Sequence, residues 1–242
     1  MPSSRTDQVV FIVNWRRVRI AMLWIVVAIL VIHFYVGITD EYDLIGETVW
    51  RRLAYLDSET SVPTWLSTML MATSAALCWV ESRVTDASQR RRWALLGLGF
   101  FVLSIDEVTG FHESASAPLR ALHLQGALFY GWVLPAIVLV TVAAIYFYPL
   151  LPTIPREVRV RILLAGGLFV AGAVGLEMVG GVLVGRGMRG GWPYFLLSTV
   201  EEMVEITSVF LFVDTMAMWF AERGTSMSLS VRSPRGPDSD QG

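Results

Sequence analysis

Residues 20–39 read IAMLWIVVAILVIHFYVGIT, twenty residues without a charged side chain. At about 1.5 Å of rise per residue, such a run makes a helix of about 30 Å, the thickness of a bilayer's hydrocarbon core. Arg16, Arg17 and Arg19 precede it. A secretory signal also has a basic start, but its apolar core covers only about 7–15 residues and ends at a small-residue cleavage site. This run is longer and no clear small-x-small site follows it, so it reads as an uncleaved first transmembrane helix.

The pattern recurs along the chain. Six segments are long enough to cross, at 20–39, 64–81, 93–113, 126–148, 162–184 and 195–220. The third and sixth contain acids and score worse on hydropathy. The fourth contains Pro135, which a membrane helix tolerates as a kink. Composition agrees: mean hydropathy is +0.55 and 54% of the 242 residues are apolar, with nine Trp and twelve Phe. That profile belongs to an integral membrane bundle, all-α, rather than to a water-soluble core. A net charge of −2 and no basic stripe interleaved with aromatics exclude a nucleic-acid footprint. The single cysteine, Cys78, excludes an intrachain disulfide and a thiolate metal site, and it reads as a buried small residue.

All nineteen basic residues are Arg, and their placement sets an orientation. Fourteen fall on one side, in the segments around Arg5 to Arg19, Arg83 to Arg92, Arg156 to Arg161 and Arg223 to Arg235. Only Arg51, Arg52, Arg120, Arg186 and Arg189 fall on the other. The positive-inside rule then puts both termini in the cytoplasm, consistent with an even number of spans. Residues 1–19 form a cytoplasmic segment, 20–222 the transmembrane domain, and 223–242 a disordered tail rich in Ser, Pro, Gly and Asp. The loop from Asp40 to Pro63 is external and acidic, with Trp50, Tyr55 and Trp65 suited to the interface. Its Glu41, Glu47, Asp57 and Glu59 read as a solvated surface, with Asp57 or Glu59 able to fold over the site. No internal repeat, Walker motif, dinucleotide glycine pattern or GxSxG elbow occurs.

The informative residues are charges placed where charges are costly. The third segment holds Asp106, Glu107, His112 and Glu113, the fifth holds Glu177, and the sixth holds Glu201, Glu202 and Glu205. Asp106 lies about 13 residues, or about 20 Å, from the inner end of its span, and Glu177 about 15 residues from its own. The three glutamates of the sixth segment fall about 6 to 10 residues in from outside, so all share the outer half of the bilayer. His33 stands at the same level. At about 100° per residue, the three glutamates spread over one face of about 100°, and Asp106, Gly110 and Glu113 share one of about 60°. His112 lies about 120° away if the helix runs on through Gly110. Beside Glu177 a strip of Gly166, Ala173, Gly180 and Gly181 permits close helix packing.

A carboxylate at the centre of a membrane helix costs on the order of 2.5–3.5 kcal/mol, and clustered acids also repel one another. Compensation comes from shared protons, water, a bound cation, or Arg120, Arg186 or Arg189 reaching in. A metal ion answers most of these costs together. The metal candidates are Asp106, Glu107, His112, Glu113, Glu177, Glu201 and Glu205, and the catalytic candidates are Glu113 and Glu202 as general base. Oxygen-rich ligation suits Mn, Fe, Mg or Ca better than Zn. Acids at three-residue spacing on different helices follow the logic of dinuclear carboxylate bundles, although the ExxH spacing of di-iron sites is absent. The chemistry expected is hydrolysis or oxidation of a lipid-like substrate drawn from the outer leaflet. The alternatives are a proton- or cation-coupled transporter and a non-catalytic subunit of a membrane complex. Simpler roles also stand: Glu201, Glu202 and Glu205 favouring a helix N-terminus, and Asp106 with Glu107 in an interhelical hydrogen-bond network. His33 is the weaker histidine candidate, and His123, in an external loop, has no assigned role.

LSIDEVTGFHE (residues 103–113), PTWLS (63–67), GLE (175–177) and TVEEMVE (199–205) together resemble a group of uncharacterised bacterial multi-pass membrane proteins with DExxxxHE and EExxE motifs. The resemblance covers roughly residues 50 to 215, and its specificity lies in the combination of the two motifs. It implies a small helical bundle in the bacterial cytoplasmic membrane and lends no reaction. Ceramidase-like hydrolases place three His, an Asp and a Ser around zinc, whereas this chain has three His in total, one of them in a loop. Intramembrane CAAX-type proteases use EExxxR with later histidines, whereas Glu201-Glu202 is followed by Glu205 and Ile206 with no Arg and no later His. The chain supplies neither set.

Overall fold

The computed structural model describes residues 14–41, 49–56, 58, 60–119 and 124–225. Within these ranges the side chains of residues 40, 41, 50, 51, 113, 115, 117 and 118 are excepted. The described chain is all-helical, with no strand. Its helices are α1 (Trp15–Glu41), α2 (Val49–Ala54), α3 (Val62–Val84), α4 (Ala87–Thr109), α5 (Phe111–Leu119), α6 (Val133–Phe147), α7 (Arg156–Val170), α8 (Glu177–Gly185) and α9 (Trp192–Glu222). Three stretches are long and apolar enough to cross a membrane: Trp15–Thr39, Val133–Thr153 and Arg156–Gly185. The segments that become α3, α4 and α9 are helical at comparable length but carry more polar and charged residues.

Helix ends follow local chemistry. Ser61 caps α3 by accepting the Thr64 N–H, with Pro63 in the first turn, where no intrahelical donor is lost. Pro135 also falls in a first turn, because α6 begins only at Val133. It therefore starts a helix rather than kinking one, a correction to the sequence expectation. Gly110 adopts the left-handed conformation (φ 55°, ψ 34°) and terminates α4, so the predicted third span breaks there. Between α7 and α8 the axis continues through a π-helical turn, Ala171–Leu176.

The long helices run alternately up and down. Along α1 and α9, Trp15 and Arg19 meet Asp214, His33 meets Thr199, and Gly37 meets Phe195. Numbers rise on one helix as they fall on the other, so the pair is antiparallel. The α7–α8 helix also opposes α9, with Arg161 near Asp214, Gly172 against Glu205 and Gly180 against Tyr194. Helices α3 and α4 form a hairpin closed over Gly97, where a Cβ would come 2.7 Å from the Trp79 ring. Such contacts matter in a lipid environment, where tail and side chain are equally apolar and close packing with hydrogen bonds holds helices together.

The start of α1 and the end of α9 consequently lie at one end of the bundle, called here the base. A core of Cys78, Trp93, Leu150, Ile154, Val158, Phe212, Met216 and Trp219 fills it. Acids sit there too. Glu81, 2% exposed, makes a two-point ion pair with Arg223, whose guanidinium lies 3.9 Å over the Trp219 ring. Asp214 is gripped by Arg19 at 2.6 Å and by the Trp15 indole N–H, with Arg161 at 3.6 Å.

Candidate functional site

The acids singled out from sequence lie at the other end. Glu205, half-buried on α9, feels the charges of Glu202, Glu107, Glu201 and Glu177. These groups come from α4, α8 and α9. The π turn explains part of the approach. It presents Gly172 to α9, where a Cβ would lie 3.0 Å from Glu205 Cγ and 3.5 Å from the Glu201 carbonyl oxygen. A larger residue there would push α9 and its carboxylates away. π turns widen a helix locally and recur at functional positions, and this one ends directly before Glu177.

The break at Gly110 settles where His112 goes. Instead of standing a third of a turn off, His112 starts α5 folded back onto the end of α4. Asp106 Oδ2 lies 2.7 Å from His112 Nδ1, and Asp106 Oδ1 accepts the His112 backbone N–H at 2.9 Å. Both carboxylate oxygens are therefore engaged by one residue. When Nδ1 carries its proton toward Asp106, the other ring nitrogen, Nε2, presents its lone pair. Trp132 packs its edge against the His112 ring (centroids 4.7 Å apart) and donates its indole N–H to Glu177 Oε1 at 3.3 Å. Its backbone N–H donates to Ser116 Oγ at 3.4 Å. One indole thus joins the Asp106–His112 pair to the carboxylate cluster. Trp132 and Ser116 were missed from sequence, because a Trp ahead of an apolar run reads as an interfacial anchor.

His33 is fully buried opposite Thr199, and it is occupied structurally. Its Nδ1 accepts the Leu56 N–H at 3.2 Å, which leaves the proton on Nε2 to be donated to Thr199 Oγ1 at 2.9 Å. The ring stacks on Phe195 at 4.6 Å and 4°. Thr199 in turn donates to the Phe195 carbonyl. These bonds fasten the segment after α2 to α1 and α9.

The remaining candidates divide simply. Glu113 lies on α5, but its side chain is outside the described residues, as are Arg120, His123, Asp57 and Glu59. Arg186 and Arg189 are exposed around the turn after α8. Among the described residues, no three His, Cys, Asp or Glu side chains stand close enough together to hold a metal ion. Two acids that the sequence reading overlooked, Glu81 and Asp214, belong to the base, where arginines neutralise them. The available signal was the arginine count itself, which had placed Arg19, Arg161 and Arg223 on one side.

Over its described residues the architecture is that of an all-helical protein with helices long and apolar enough to cross a membrane, and a group of carboxylates around Glu205 away from the base. Over residues 19–220 the chain matches a domain of unknown function, DUF8692, and it belongs to that family. No curated protein and no solved structure matches it.

Proposed function

We propose that the chain is a multi-pass protein of the bacterial cytoplasmic membrane. It crosses six times through α1, α3, α4, α6, α7–α8 and α9, with both termini cytoplasmic and the carboxylate layer in the outer half of the bilayer. The layer binds a divalent cation, of the Mn, Fe, Mg or Ca type rather than Zn, and serves hydrolysis of a lipid-like substrate.

One observation carries this reading. Glu205 faces four other carboxylates, while Arg19, Arg161 and Arg223 are engaged by Glu81 and Asp214 at the opposite end. A hard cation is a natural charge partner for several carboxylates gathered from different helices. Glu107, Glu177, Glu201 and Glu205 would be its oxygen ligands. Ligation requires these side chains to turn inward from their described positions, which the flexible glutamate stem permits. His112 would offer Nε2, with Asp106 as a positioning residue in the manner of carboxylate–histidine–metal triads. A bound divalent ion makes water a stronger nucleophile near neutral pH. Glu202 or Glu113 would take the proton.

The test is elemental analysis of detergent-purified protein, wild type beside Glu177→Gln and Glu205→Gln. Stoichiometric metal in the wild type, lost in both variants, supports the proposal. A folded wild type that takes up no metal from any of the candidate ions overturns it and leaves shared protons, serving transport or a larger complex.

A further inference from the structure

An apolar groove of about 410 Å³ runs between α1, α7 and α9. Leu30 and Phe34 line it from α1, Leu168 from α7, and Val200, Met203 and Val204 from α9. Thr199 and Thr207 complete the wall, but Thr199 is already bonded to His33 and to the Phe195 carbonyl. The groove thus offers a ligand a nearly unbroken apolar surface. Two of its walls belong to stretches long and apolar enough to cross a membrane, so hydrocarbon is what surrounds its mouth.

The groove is continuous with the carboxylate layer. Val204 lines it and also packs toward the π turn, 3.4 Å from where a Gly172 Cβ would be, directly beside Glu205. On α9, residues 199, 200, 203, 204 and 207 form one face at helical spacing, and Glu205 lies about 100° beyond Val204, where Gly172, one turn on from the groove residue Leu168, meets both Val204 and Glu205. We propose that the groove seats one acyl chain of a membrane lipid, with the chain's polar end directed toward the carboxylates. This names the substrate class of the proposed site and rests on that reading for its catalytic meaning. The binding of the chain itself requires neither metal nor turnover.

The test uses the full-length protein in phosphatidylglycerol/phosphatidylethanolamine vesicles doped with a phospholipid bearing a diazirine on one acyl chain. Labelled residues are mapped by mass spectrometry after irradiation. Labelling concentrates on Leu30, Phe34, Leu168 and Met203, relative to the exposed Val138 and Leu139 of α6. Filling the rim with Val200→Trp lowers groove labelling by about tenfold, as overpacking a fitted site does, and Val138→Trp leaves it unchanged. Leu168→Trp, which fills the groove from α7, gives the same loss and guards against misfolding of one variant. Labelling spread over all outward-facing residues in proportion to exposure overturns the groove. Metal content, read separately on the same protein, keeps the two ideas apart. Groove labelling in metal-free protein upholds the acyl site while removing the cation.

Discussion

Asp106 holds His112 at two points, the ring nitrogen Nδ1 at 2.7 Å and the backbone N–H at 2.9 Å. The arrangement depends on Gly110 between them, whose left-handed backbone turns the chain back on itself. An L-residue in that conformation costs about 1–2 kcal/mol, and asparagine tolerates it better than alanine. Gly110→Ala is therefore expected to lower the melting temperature by several degrees, and Gly110→Asn to lower it less. Asp106→Asn keeps one acceptor and loses the charge, costing about 1–3 kcal/mol. If His112 ligates a metal, affinity in Asp106→Asn also falls by about 10- to 100-fold. Thermal unfolding and metal titration of the variants read both effects. An Ala variant as stable as wild type would remove the strain argument.

Gly172 and Gly166 make a controlled pair on the helix that carries Glu177. A Cβ at Gly172 meets Glu205 Cγ at 3.0 Å, whereas one at Gly166 meets nothing within 4 Å. Gly166→Ala should be neutral or slightly stabilising, since alanine is the better helix former by about 1 kcal/mol. Gly172→Leu should cost about 1–3 kcal/mol through overpacking and force Glu205 out of the layer. Metal stoichiometry distinguishes displacement of the site from general destabilisation: it should be lost in Gly172→Leu and kept in Gly166→Ala. Equal behaviour of the two variants would mean that the π turn does not set the position of Glu205.

Much of this was legible in the chain. Each of the six expected segments is helical over most of its length, because long apolar runs bounded by arginines leave few alternatives. That Glu107, Glu177, Glu201, Glu202 and Glu205 would come near one another could be read by counting along the helices, because rise per residue is nearly constant. The break at Gly110 was not legible. A glycine within a helical pattern is equally compatible with a continued helix and with a left-handed cap, and the choice follows from the Asp106–His112 bond six residues apart. The role of His33 was equally hidden, since it depends on Leu56 arriving from an irregular segment. Glu81 and Asp214 were missed because their partners lie 142 and 195 residues away in sequence, and helical periodicity carries no information at that range.

The pair of Glu81 and Arg223 tests the base independently of the site. Glu81 is 2% exposed on α3, and Arg223 follows α9. Removing one partner of a buried pair costs about 3–5 kcal/mol, and the lower end applies here because a third of Arg223 reaches solvent. Arg223→Met should therefore destabilise strongly by leaving Glu81 uncompensated. The double variant Glu81→Met/Arg223→Met should recover a large part of the loss. A double-mutant cycle in thermal or denaturant unfolding measures the coupling. Additive losses would show that the pair contributes nothing beyond its separate packing.

The final prediction concerns the direction of the bundle in the membrane. The arginines at the starts of α1, α4 and α7 lie on the side of the base, and the carboxylates around Glu205 lie away from it. If the base is cytoplasmic, the turn between α3 and α4 faces inward and the turn between α8 and α9 faces outward. Ala87 and Gly190 are exposed in or beside these two turns, and neither carries a charge whose removal would alter insertion. In a Cys78→Ser background, Gly190→Cys should react with a membrane-impermeant maleimide on intact spheroplasts. Ala87→Cys should react only after permeabilisation. The reverse pattern would invert the topology and place the carboxylate layer in the inner leaflet, which removes an outer-leaflet substrate from the proposal. Reaction of both cysteines from the same side would mean that the helices between the two turns cross an even number of times, and the six-span arrangement would fall.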